Sequence, residues 1–155
     1  MPDLDVRIVK LEPMRVASAY GFGPEPEPIA VEKMRAFLEA RGMLEGYGTA
    51  HPSYGFNNPG PAAGRPEYGY EIWVPVADEV RPEADVRIGQ FHGGPYAVTR
   101  CEGLGNIGTV WDELHQWGRA SPHGSGYHQW LENLHNPLES NLSKYVFDLY
   151  LPIAA

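Results

Sequence analysis

Two nine-residue stretches of this chain carry one pattern. YGYEIWVPV runs from Tyr68 to Val76 and YVFDLYLPI from Tyr145 to Ile153. Each orders an aromatic, an acid, an aliphatic, an aromatic, an aliphatic and a proline. At an offset of 77, Tyr70 matches Phe147, Glu71 matches Asp148, Trp73 matches Tyr150 and Pro75 matches Pro152. Weaker echoes keep the same order: Val6–Ile8 recurs at Val86–Ile88, 80 residues on, and Asn57–Pro59 at His135–Pro137, 78 on. A slowly drifting offset is what unequal loops produce. An internal repeat constrains the fold before any single element does, since copies fold alike and bury their apolar faces against each other.

Each half reads as β-α-β-β. Residues 6–22 form a β-rich stretch broken at Pro13, and residues 86–103 a second, broken by glycine and proline. From Pro28 to Met43, Val31, Met34, Phe37 and Leu38 recur at helical spacing, with Pro28 suited to the first turn and Gly42 to the stop. From Asn106 to Arg119, Asn106 stands at the capping position, and Val110, Trp111, Leu114 and Trp117 line one face. Strands follow around Tyr54 and Tyr70 in the first half, and around Glu132 and Phe147 in the second. The halves span about residues 1–78 and 85–155 of one domain, joined by the polar linker Glu79–Asp85. The fold class expected is α+β: tandem β-α-β-β modules on a pseudo-twofold axis, an antiparallel sheet, helices on one side, and a ligand cleft where the modules meet.

Charge and cysteine content narrow the partners. A net charge of −8 lacks the basic patch that nucleic-acid backbones require. No apolar run approaches the roughly 20 residues of a membrane span, and no basic-then-apolar leader opens the chain. Cys101 is the single cysteine, which excludes an internal disulfide and fits a cytoplasmic protein. The six histidines form no HExxH motif and no i,i+4 pair, so no metal site is expected, and no cofactor. GLGNIG, from Gly103 to Gly108, lacks the Lys-Ser/Thr of a phosphate loop and reads as a helix-leading turn.

PYAVTRCEG, VWDELHQW, WLENL with its following NP, and the final FDLYLPI together resemble the GyrI-like effector-binding domains. The resemblance covers nearly the whole chain and is strongest from Gly94 to Ile153. It implies a stand-alone domain with an aromatic-walled pocket and a buried glutamate, here Glu132, facing an amphipathic ligand that is cationic in many members. Some members resemble hydrolases that open cyclopropane-containing genotoxins with a tyrosine and a glutamate. Multidrug regulators of the AraC and MerR types carry such domains behind DNA-binding helices. Here Met1–Val6 leaves no room for them.

On a strand, Trp130 and Glu132 share a face, two residues apart. A carboxylate among aromatic rings attracts organic cations, and desolvation raises its pKa toward that of a general acid or base. At an offset of 78, Glu132 falls opposite Tyr54, which the pseudo-twofold would make its counterpart. Tyr70 and Ile72 share one face of their strand, Glu71 and Trp73 the other. In the echo, Asp148 and Tyr150 repeat the acid-and-ring face. The aliphatic faces are expected under the helices and the acid-and-ring faces on an open groove. Tyr54 and Phe56, alternating with Gly55, would cap a flat ligand.

The candidate ligand-binding residues are therefore Glu132, Tyr54, Phe56, Tyr70, Glu71, Trp73, Trp111, Trp130 and Tyr150, although Trp111 reads better as core than as a pocket lid. If the protein is an enzyme, Glu132 is the acid or base and Tyr54 or Tyr70 its partner. Three functions stay open: a binder of amphipathic aromatic compounds, a hydrolase of electrophilic genotoxins, and an inhibitor of a topoisomerase-like protein.

Overall fold

The computed structural model describes residues 4–154. Eight strands form one antiparallel sheet: β1 (Arg7–Leu11), β2 (Met14–Gly23), β3 (Ser53–Asn57), β4 (Tyr68–Pro75), β5 (Val86–Phe91), β6 (Gly94–Glu102), β7 (Leu131–Leu134) and β8 (Val146–Pro152). Helices α1 (Pro26–Glu39) and α2 (Ile107–Ala120) follow β2 and β6. The strand order, β1-β6-β8-β7-β3-β4-β2-β5, reads the same from both ends when each strand of the first half is exchanged for its counterpart in the second. The repeat in the sequence is thus a pseudo-twofold in the sheet, with β3 and β7 at its centre.

The breaks foreseen within the first β-rich stretch of each half fall at Glu12–Pro13 and at His92–Gly93. They do not end the pairing. Leu11 faces Gly94 in β1–β6, and three residues on Met14 faces Phe91 in β2–β5, in unbroken register. β1–β2 and β5–β6 therefore form one long bent ribbon. Its two arms lie at opposite ends of the strand order, so the sheet curls round on itself. Proline offers no N–H for a ladder, and Gly93 adopts φ +77°, a conformation side chains resist. Those residues supply the bend. Each half is consequently β-β-α-β-β, one strand more than the sequence indicated, with its first strand laid against the other half.

Both helices pack on one face of the sheet. α1 begins with Pro26 and Pro28 in its first turn and buries Ala30, Met34, Phe37 and Leu38 against β2 and β4. It comes so close to β2 that a Cβ on Gly21 would stand 2.3 Å from the Pro26 carbonyl oxygen. Gly42, at φ +69°, lies just past its end, as the sequence pattern required. α2 buries Leu114 and lays Val110, Trp111 and Trp117 over Cys101, Phe147 and Leu149. Full burial of a leucine such as Leu114 contributes about 2–3 kcal/mol. Asn106 does not cap α2; its amide donates to the Glu102 carbonyl instead, at 2.8 Å.

The other face is closed. The curled sheet packs Tyr54, Phe56, Tyr96, Leu131 and Tyr150 together, with Trp73 against them. Tyr54 and Tyr150 meet edge to face at 6.0 Å, as do Phe56 and Trp73 at 4.7 Å. The groove expected on this face is a second hydrophobic core, because the ribbon brings strands from both ends of the sheet over it. Among the described residues, no helix is long and apolar enough to cross a membrane.

Candidate functional site

Register decides which side chains meet. Tyr54 faces Trp73 in β3–β4, and Leu131 faces Tyr150 in β7–β8. Trp73 and Tyr150 are counterparts, so Tyr54 corresponds to Leu131 and Gly55 to Glu132. Gly55 and Glu132 also face each other directly across β3–β7. The offset at the axis is therefore 77 rather than 78, and the counterpart of Glu132 is Gly55, not Tyr54. A one-residue slip turns every side chain to the opposite face. Tyr54, Glu71, Trp73, Asp148 and Tyr150 accordingly point away from Glu132 into the second core.

Glu132 points to the helix face and stands on the floor of a cavity of about 700 Å³. The first half contributes Glu27 and Val31 from α1 and Tyr68, Tyr70 and Ile72 from β4; the second contributes Ile107, Leu134 and Phe147. The cleft between the halves is where the repeat placed it, with different walls.

Tyr70 crosses the axis to reach the glutamate. Its hydroxyl donates to Glu132 Oε1 at 3.0 Å, and Trp111 Nε1 donates to Oε2 at 3.1 Å. The Tyr70 hydroxyl occupies the space a side chain on residue 55 would take: a Cβ there would lie 2.1 Å from it. Burial pushes the Glu132 carboxyl above its ordinary pKa, the Trp111 and Tyr70 hydrogen bonds partly offset this, and the charge of Glu27 adds to the rise. Burial and the neighbouring Glu132 hold the Tyr70 phenol well above its usual range, so it stays protonated and acts as a donor.

Glu132 and Asn57 also border a second recess, of about 410 Å³. Phe56, Trp111, His115 and Trp130 line the recess. Trp130 lies just before β7, half exposed, with its ring 5.5 Å from that of Trp111. Of the candidates, the structure therefore gathers Tyr70, Trp111 and Trp130 around Glu132 and leaves Phe56 at the margin.

Glu71 and Asp148 have tasks of their own. Glu71 accepts hydrogen bonds from Ser18, Trp73 and Asn58. Asp148, 4% exposed, accepts from Arg7 at 2.9 Å and Arg100 at 3.0 Å, and His135 Nε2 lies 2.9 Å away. Burial alone would push the Asp148 carboxyl up; the Arg100 and Arg7 hydrogen bonds and the nearby His135 outweigh it and hold the group below its ordinary value.

Glu27 and Tyr68 were not singled out from the sequence. Tyr68 stands two residues before Tyr70 on the same strand face, a period-two signal that would have found it. Its hydroxyl donates to Glu27 Oε2 at 2.6 Å, and burial with the Glu27 and Glu132 charges pushes its phenol up to about 12.

A largely apolar cavity between the halves, with the hydrogen-bonded Glu132 carboxylate on its floor, is the arrangement of a small-molecule effector-binding domain. The chain belongs to the Cass2 family, the integron-associated effector binding proteins, whose model it matches over residues 7–153. No curated protein matches it. Among solved structures, it resembles a hydrolase from Listeria innocua at 17% identity and TM-score 0.71, covering 99% of this chain and 93% of that one. It resembles SAV2435 bound to tetraphenylphosphonium at 12% identity and TM-score 0.57, covering 97% and 94%. An integron cassette protein from the mobile metagenome of Vibrio cholerae matches at 11% identity and TM-score 0.52, covering 96% and 95%. At these identities the likenesses speak for the fold, which is the α+β, GyrI-like arrangement.

Proposed function

We propose that this protein binds amphipathic aromatic cations in the cavity floored by Glu132. One observation carries the reading: the Glu132 carboxylate is held by a phenol and an indole N–H, and among the described residues no ion pair neutralises it. Among the described residues, no lysine, arginine or histidine lines the cavity. A carboxylate withdrawn from water costs free energy unless a countercharge joins it. A cation with apolar arms supplies the charge and covers Ile72, Ile107 and Phe147 at once. Tetraphenylphosphonium, the ligand of SAV2435, has this chemistry.

The test is titration with tetraphenylphosphonium and with neutral triphenylphosphine oxide, read by Trp111 fluorescence or calorimetry. Tighter binding of the cation, with most of the difference gone in Glu132→Gln, supports the proposal. Equal affinities, or a preference unchanged in Glu132→Gln, refute it.

A second reading draws on the Tyr70–Glu132 pair. A carboxyl with a raised pKa, 3.0 Å from a protonated phenol, has the geometry for acid–base hydrolysis of an electrophilic, cyclopropane-containing compound. Glu132, ionised, would take a proton from the attacking water as its oxygen bonds to the ring carbon and the strained C–C bond breaks; Tyr70 would donate a proton to the departing group and be reprotonated from Glu132; Tyr54, on the opposite face, has no part. Turnover falling about 10²-fold or more in Glu132→Gln is the expected result. Binding without turnover of such a compound excludes it.

A further inference from the structure

We propose that the cavity takes a ligand with two positive centres, Glu132 meeting one at the floor and Glu27 the other at the mouth. The inference rests on the reading that the cavity binds organic cations. It names the class: two cationic groups joined by a short apolar or aromatic spacer.

The geometry is a doubled motif. Glu132 accepts from the Tyr70 hydroxyl and Glu27 from the Tyr68 hydroxyl. The two tyrosines stand on one face of β4, two residues apart, so their roots are separated by about 7 Å. Two phenol–carboxylate pairs thus sit in tandem within one chamber. Four carboxylates line it, but they are not equivalent. Glu32 is engaged by Arg35, and Glu25 lies in the open. Glu27 and Glu132 remain, both without an ion-pair partner among the described residues. The helix dipole accounts for an acid in the first turn of α1. It does not account for the phenol that draws that acid into the cavity.

The charges are felt along the cavity. The Glu27 charge helps raise the pKa of Glu132, and that of Glu132 helps raise Tyr68. One positive group pairs with one carboxylate and leaves the other without a countercharge. A second relieves the remainder. Ile72 and Phe147 line the same cavity and offer apolar contact, which suits an apolar or aromatic spacer.

Ethidium and propidium test this. They share a phenanthridinium ring, and propidium adds a quaternary ammonium on a propyl arm. Wild-type protein should bind propidium about tenfold tighter, roughly the value of one partly desolvated charge pair. Glu27→Gln should abolish that advantage and leave ethidium affinity within about twofold. Tyr68→Phe, which keeps the Glu27 charge but releases it from the phenol, should reduce the advantage, whereas Glu102→Gln, at an exposed carboxylate outside the cavity, should retain it. Glu132→Gln should weaken both dyes. Equal affinities in the wild type, or a propidium advantage that survives Glu27→Gln, overturns the inference while Glu132-dependent ethidium binding leaves the cation reading standing. Failure of both dyes to bind overturns both.

Discussion

Gly55 and Glu132 face each other across the pseudo-twofold axis, each in the place the other holds in its own half. The symmetry is broken by a side chain on one side only, and the Tyr70 hydroxyl occupies the vacant half of the pair. A glycine at the axis is what lets the carboxylate be gripped from the opposite half. Gly55→Ala should therefore push Tyr70 off Glu132. Since Tyr70 is buried, the cost should be about 1–3 kcal/mol by urea unfolding. Tyr70→Ala removes the hydroxyl together with the ring carbons that would lie 2.6 and 2.8 Å from that Cβ, so the double variant should be less destabilised than the two single losses summed. Strict additivity would show that the two positions do not interact.

The raised Glu132 pKa gives binding a pH dependence with a definite sign. Only the ionised form attracts a cation, so tetraphenylphosphonium affinity should rise with pH through the elevated Glu132 value and then level. In Glu132→Gln the same titration should be flat over that range.

Stability should run the other way. The folded carboxyl holds its proton to higher pH than the unfolded one, whose value is near 4.5. Stability contributed by the protonated group is therefore complete below that value and is lost as pH rises through the folded pKa. Urea titrations across this window should show a decline in the wild type that Glu132→Gln lacks.

Asp148 predicts the opposite slope. Its folded pKa is depressed, so its contribution is present above the unfolded value of 3.8 and is lost as pH falls through the folded one. Arg7 and Arg100 are each about half exposed, which limits the gain from the pairs. Asp148→Asn should cost about 2 kcal/mol near neutral pH, measured by urea unfolding, and the loss should vanish in acid.

Tyr54 separates core from site. It packs on Tyr150 on the face away from Glu132, so Tyr54→Ala should destabilise by about 3–5 kcal/mol. Tyr54→Phe should leave tetraphenylphosphonium affinity within about twofold, whereas Trp111→Phe, which removes a donor to Glu132, should change it more. A marked loss in Tyr54→Phe would contradict the register on which the site is built.

Much of this was legible from patterns of period two and period 3.6. The ordered echoes located the repeat; Met34, Phe37 and Leu38 marked the buried stripe of α1; and the family resemblance drew attention to Glu132. What failed was parity. Loop lengths make the offset drift between 80 and 77, and choosing 78 at the axis put Tyr54 where Gly55 stands. The acid-and-ring face looked solvent-facing because Glu71 and Asp148 are charged. Their partners, Ser18 and Asn58 for one and Arg7 and Arg100 for the other, come from positions too distant in sequence for spacing to disclose. Glu27 was hidden for the same reason, since only the folded chain brings it to Tyr68.

The bent ribbon makes each half depend on the other. β1 completes the sheet of the second half and β5 that of the first. Half a chain by itself would therefore carry an arm with nothing to lie on and an edge with nothing beside it. Two identical halves would satisfy each other by trading arms, and the interlock would survive a cut in the linker at Glu79–Asp85. Within one chain that exchange is built in, and the two copies need not be alike: one side of the axis carries the Glu132 carboxylate and the other, at Gly55, no side chain at all.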